Sequence, residues 1–424
     1  MQYKNLEKSK RSTYIYYLLI GIFAIIVISG RLFFSGEKYG LNYSVYQPDG
    51  ICYTKIAADI SNYDSGLLNR QLSGLYPNIG MADISSLNCE SIKARLLYPL
   101  LSAPFLRAFG VSGMLVVPIV SYLIMLILLA SSLDKARVGI YAKVTLLALV
   151  LMSSTYSRWY IANIVDPLLI TLCTILIYIL TQTNALEKIG GFIPITLIII
   201  LMALTKRSLH LVLICGIVLI IAAMKSRKSL EINHFWTKVV SLFFLIPFFL
   251  DFLIGKFLGK QNGLKSIVNI QQCIQSESSS FCEQVFKSFD SHATLTVLAG
   301  TSETSITNQS ITDLLLTKSS LLIDSLTNVI QISINYIFVS LAQIFVVDLP
   351  LACVFILWFI SLPYLWRNLN LLNGFSFFSP MLINLIASLN GTLGLNYRFE
   401  MAFFFPVFIS LAIRIDEYLR TSIN

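Results

Sequence analysis

Long apolar runs, each bounded by short polar or charged stretches, recur along the whole chain. The first covers residues 14–34, and a polar loop follows it to about residue 94. A short apolar segment at 95–110 carries Pro99 and Pro104, which interrupt helical hydrogen bonding, so a surface-lying or re-entrant helix is expected there. Spanning runs are then read at 111–133, 144–157, 164–181, 190–204, 209–224 and 239–254. Beyond a long polar stretch, residues 326–366 are apolar except at Asp348-Leu-Pro350, and two more runs cover 375–393 and 400–413. Hydrocarbon offers backbone groups no partner, so such runs satisfy their own hydrogen bonds as helices. The strict alternation of a membrane barrel is absent. The pattern predicts an all-α polytopic transmembrane helical bundle of about ten or eleven spans.

Composition sharpens this class. The chain is 56% hydrophobic and 12% charged, whereas soluble domains are about 25% charged. Its net charge of +9 does not indicate nucleic acid, because the basic residues lie in short clusters between apolar runs. Loop charges that orient helices explain them better. Lys4, Lys8, Lys10 and Arg11 precede a first run that is too long for a signal-peptide core, so a retained helix with a cytoplasmic N-terminus is expected. Asp134, Lys135, Arg137 and Lys143 mark one return to the cytoplasm, and Lys225, Arg227, Lys228 and Lys238 mark another. Between Glu37 and Lys93 six acids face four bases, a balance that suits the outer side. Residues 35–110 and 255–325 are read as two outer loops, the second far longer than an ordinary connection. If 326–347 and 349–366 both crossed, the last two helices would invert. One full crossing there is the reading adopted. Trp159 and Tyr160, in a turn at 157–163, are read as interfacial aromatics.

The seven cysteines divide by position. Cys173, Cys215 and Cys353 fall in apolar runs and read as small core residues. Cys52 and Cys89 share the first loop, and Cys273 and Cys282 share the second. Two pairs confined to outer loops suggest disulfides in an oxidising compartment, although spacing does not fix the pairing.

Several chemistries lack their signatures. There is no phosphate-binding glycine loop and no dinucleotide fingerprint. His210, His234 and His292 are too scattered for a zinc site of usual spacing. No Gly-x-Ser-x-Gly elbow occurs. Asn42, Asn308 and Asn390 open glycosylation sequons, which carry meaning only in a eukaryotic secretory setting. What remains is a set of polar residues at helix ends expected on the outer side. Asp49 lies between Pro48 and Gly50, with Tyr53 and Ile56 following at helical spacing. The acid is either a turn residue bonded to its own backbone or a base held at the membrane surface. Arg95 and Tyr98 begin the short apolar segment, and Asp166 follows the aromatic turn. Lys206, Arg207, Tyr397 and Arg398 stand at later outer ends. Singly, each charge reads equally well as an anchor that snorkels to the headgroups. Together, acids and bases on one side of a bundle can line one cavity.

The order of these segments resembles that of the GT-C superfamily of membrane glycosyltransferases. Asp49-Gly-Ile-Cys-Tyr53-Thr-Lys-Ile-Ala57 is similar to the first-loop motif of that superfamily. Arg95-Leu-Leu-Tyr98-Pro-Leu-Leu, followed by Phe109-Gly110, looks like the segment leading into its second helix. Asn163-Ile-Val-Asp166-Pro looks like the start of its fourth helix, and Lys206-Arg207 and Tyr397-Arg398 resemble its basic residues near a lipid phosphate. The chain departs from many members in its second acid, for which only Asp166 offers itself.

The resemblance implies a single membrane domain of GT-C type over residues 1–424. It implies inverting transfer of a sugar from a polyprenyl-phosphate donor to a glycan or lipid acceptor on the outer face, with a bacterial plasma membrane as the setting. Asp49 would be the base. Tyr53, Arg95, Tyr98, Asp166, Lys206, Arg207, Tyr397 and Arg398 would bind the substrates, the cations holding the departing phosphate. No cofactor is required by this chemistry, and a divalent cation is compatible with it. Two rivals stay open. One is a flippase or transporter of a lipid-linked saccharide, which the lack of paired repeat halves disfavours. The other is a polysaccharide polymerase with a long outer loop.

Overall fold

In the computed structural model, the described residues are 2–33, 45–46, 49–75, 89, 95–181, 192–205, 209–225, 243, 245–246, 249, 348–389 and 397–423. Among them the chain is all-helical, with no strand. The helices are α1 (Gln2–Phe33), α2 (Asp49–Ser61), α3 (Ser65–Leu75), α4 (Leu97–Phe109), α5 (Val116–Lys135), α6 (Ile140–Met152) and α7 (Ser154–Tyr160). They continue as α8 (Asp166–Thr181), α9 (Phe192–Thr205), α10 (Leu209–Lys225), α11 (Leu349–Arg367), α12 (Leu371–Leu389) and α13 (Tyr397–Ile423). A 3-10 segment, Gly110–Leu115, joins α4 to α5. Three stretches among the described residues are long and apolar enough to cross a membrane: Tyr16–Phe33, Leu97–Lys135 and Leu349–Arg367.

Two polar ends bracket the apolar body. At one, Tyr17 donates to Asp134 at 2.8 Å and Lys143 pairs with the same carboxylate. Beside them Arg420 pairs with Asp416 at 2.6 Å and donates to the Arg137 carbonyl at 3.1 Å, while Tyr364 donates to Glu417 at 2.9 Å. At the other end Arg31 Nε donates to Ser157 Oγ at 2.9 Å, its guanidinium also reaches the Ser154 carbonyl, and Ser153 donates to Asp348 at 2.7 Å. These contacts orient the helices. α11 starts at the Arg31 end with Asp348 as its cap, accepting from the Leu351 N–H at 3.0 Å, and finishes near Glu417. α13 runs the same way, packing Phe404 and Phe408 on Tyr156 before Arg420 reaches Arg137. Asp348-Leu-Pro350 is therefore a helix start, as its acid and early proline suit.

Local structure departs from expectation at two places. Pro99 and Pro104 do not break α4, which continues to Phe109. Pro99 falls in the first turn, where its missing N–H is an orphan anyway. The break comes instead at Gly110, at φ 65°, a left-handed conformation that favours glycine. Gly113 then lies so close to α4 that a Cβ there would stand 2.1 Å from the Phe105 carbonyl oxygen. Tyr160, expected to face the membrane interface, is instead a core residue. Tyr160 is fully buried, its ring 5.1 Å from Tyr156 and 5.5 Å from Tyr122. The i, i+4 spacing of Tyr156 and Tyr160 on α7 sets both on the face turned to the bundle, and only Trp159 stays half-buried.

The first loop folds as a small helical cap with its own apolar centre. Ile51, Tyr53, Ala57, Leu68, Leu72, Tyr98, Leu106 and Met114 bury one another against Ala162, Ile164 and Val165. Gln71 ties α3 to the 3-10 segment by accepting the Val111 N–H at 3.1 Å. A disulfide joins Cys52 to Cys89 across 37 residues, the pairing left open by spacing alone. Cys273 and Cys282 lie outside the described residues. Mass spectrometry of non-reduced peptides should find Cys52 and Cys89 joined in native membranes. Reduction should cost about 3–4 kcal/mol in the loop-entropy picture. Free thiols at both positions would place the loop in a reducing space, against its outer assignment.

Candidate functional site

The site is built where the cap meets α8. Asp49 is the first residue of α2, so Asp49-Gly50 starts a helix here. Thr54 supports that first turn by donating to the Gly50 carbonyl at 2.7 Å. Gly50 is buried against the Asn163 side chain. The Asn163 backbone N–H donates to the Val45 carbonyl at 2.9 Å. Three residues later Asp166 opens α8, only 3% exposed. A carboxylate suits a helix N-terminus because the peptide dipoles there favour negative charge. Two helices that each begin with an acid are thus held together by the 161–165 bend.

One turn along α2 from Asp49, Tyr53 is buried and accepts from Arg95 Nη1 at 2.8 Å. The Tyr53 ring meets Tyr98 edge-on at 5.5 Å, and Tyr98 donates to the Met114 carbonyl at 2.8 Å. Tyr98 has no exposed surface and its hydroxyl is engaged, so it acts as the wall behind Tyr53. Arg95 remains half-buried at the mouth of α4. On the same helix, burial lowers the pKa of Lys55, an effect partly opposed by Asp59 one turn on. Burial likewise raises the pKa of the Tyr46 phenol just ahead of α2.

Tyr397 and Arg398 open α13, whose direction puts them at the end of the bundle that holds Arg31, Asn163 and the cap. Lys206 and Arg207 lie outside the described residues. Of the residues singled out from the sequence, Arg95 is hydrogen-bonded to Tyr53, whose ring packs on Tyr98, so these three form one group. Asp49 and Asp166 begin neighbouring helices beside it, and Tyr397 and Arg398 share that end.

Three further polar residues belong to this end and were not singled out. Arg31 and Asp348 both hold the start of α7, Arg31 through Ser154 and Ser157 and Asp348 through Ser153. Asp348 is 2% exposed, and an acid buried that deeply needs such partners. Asn163 is the third. Arg31 had a legible signal, a charge inside the end of an apolar run. Arg158 stacks on the Trp159 ring at 5.1 Å, adding a cation to the same turn. Among the described residues, no three His, Cys, Asp or Glu side chains gather as a metal-holding group.

Comparison with family models, curated proteins and solved structures brings no match.

Proposed function

We propose that this chain is an integral membrane glycosyltransferase of the GT-C kind, a multi-pass bundle of about ten or eleven spans in a bacterial plasma membrane. It moves a sugar from a polyprenyl-phosphate donor to a glycan or lipid hydroxyl on the outer face. The observation that supports this best is the meeting of two acid-bearing helix starts, Asp49 on α2 and Asp166 on α8, through Gly50 and Asn163.

A hydroxyl is a poor nucleophile until a base takes its proton, and Asp49 takes that role. Attack from the side opposite the departing phosphate inverts the anomeric carbon. The phosphate leaves with growing negative charge, which Arg398, Lys206 and Arg207 offset. Arg95, fixed by its bond to Tyr53, orients the acceptor or donor beside Asp49. Asp166 holds sugar hydroxyls. The lipid tail stays among the helices, so no nucleotide-sugar site is needed. A divalent cation bound by the donor phosphate is compatible with this scheme.

The test uses the purified protein in sealed liposomes containing a radiolabelled polyprenyl-phosphate sugar and a hydroxyl acceptor. Labelled product formed without any membrane gradient is the expected result. Movement of donor between leaflets with no product would replace the enzyme by a flippase.

A further inference from the structure

Asn163 has no exposed surface, and its amide fills the space beside Gly50. A Cβ built on Gly50 would stand 2.1 Å from Asn163 Nδ2 and 2.3 Å from its Cγ and Oδ1. Position 50 thus admits no side chain while Asn163 stays in place. The same residue binds Val45 through its backbone N–H. It therefore contacts the chain both ahead of α2 and inside its first turn. Gly50 adjoins Asp49, and Asn163 stands three residues before Asp166. The bend that carries it, 161–165, is buried throughout, so a shift of Asn163 would have to pass into the helix starts on either side.

We infer that Asn163 is a positioning residue that sets how the start of α2, with Asp49, sits against the start of α8, with Asp166. The inference rests on the glycosyltransferase reading, in which Asp49 takes the acceptor proton. Two carboxyl groups on adjoining helix starts influence each other's proton affinity in a way that depends on their separation. The amide is neutral at every working pH, so it fixes the spacing without adding a third charge. A small loss of register there displaces the base from the attacking hydroxyl. That costs rate more than it costs binding, because remote contacts still hold the substrates.

Two measurements test this, and only one of them needs activity. The first compares thermal unfolding in detergent of Gly50→Ala, Asn163→Ala and the double variant. Gly50→Ala should lower the midpoint in the native background and cost little or nothing once Asn163 has become alanine. Equal costs in both backgrounds would overturn the contact. The second follows sugar transfer by Asn163→Ala, corrected for folded protein. kcat should fall about ten- to a hundredfold with KM within about twofold, and the acid limb of the pH–rate profile should move. A merely structural residue would leave the corrected kcat and the acid limb where they were, and that result would overturn the inference. If the native protein transfers no sugar while the unfolding test succeeds, the glycosyltransferase reading fails and takes the positioning role with it. The Gly50–Asn163 contact would still stand.

Discussion

Asp49→Asn is expected to lower turnover by about 10²–10⁴-fold, the usual contribution of a positioned base, with expression and donor binding nearly intact. Asparagine is close to aspartate in shape and is equally accepted at a helix start, so α2 should still form from position 49. It cannot take a proton, and the loss should fall on kcat with little change in KM. Asp166→Asn is the control. Asp166 lies buried at the start of α8, and a binding role there predicts a raised KM as well. Single-turnover assays with labelled donor separate the two outcomes. Normal turnover in Asp49→Asn would reduce the acid to a helix-start residue and leave the site without a base.

How far this site was legible in the sequence depended on the range of each interaction. Asp49, Tyr53 and Ile56 stand at helical spacing, a local property, and α2 forms where that spacing puts it. The apolar runs likewise mark α5, α8 and α11 to within a few residues, and the end of α1, which starts about a dozen residues ahead of its run. The pattern carried less where two segments separated by a hundred residues or so decide each other's environment. Tyr160 is an amphipathic aromatic beside Arg158 and Trp159, which fits a membrane interface as a local reading. Its contacts with Tyr122 on α5 and with Tyr156 on its own helix make it a core residue. Gly50 follows Asp49 in a sequence that fits a local turn, yet Asn163, far along the chain, occupies the space where a side chain at position 50 would stand. Arg31 and Asp348 are separated by most of the sequence and both bond to the start of α7.

Arg398→Ala should reduce transfer by about 10²–10³-fold, the effect of removing one donor to a developing oxyanion. Arg398→Lys should retain part of that activity. The distinction tests what the residue does. A headgroup anchor needs only positive charge near the membrane surface and would accept lysine without loss. A ligand to the departing phosphate would not, since arginine offers a planar fork that binds two oxygens at once, whereas lysine presents a point charge. Lysine should therefore weaken donor use by about tenfold while leaving the thermal midpoint near that of the native protein. The direction of α13 puts its first turn at the end of the bundle that carries the cap, with Phe404 and Phe408 against Tyr156 on the way down and Arg420 at the opposite end. A cysteine introduced by Asn396→Cys, two residues ahead of Arg398, should react with a membrane-impermeant maleimide added to intact cells. Reaction only after permeabilisation would put Arg398 on the cytoplasmic side, and because α2 and the start of α13 share one end, the outer placement of Asp49 would fall with it.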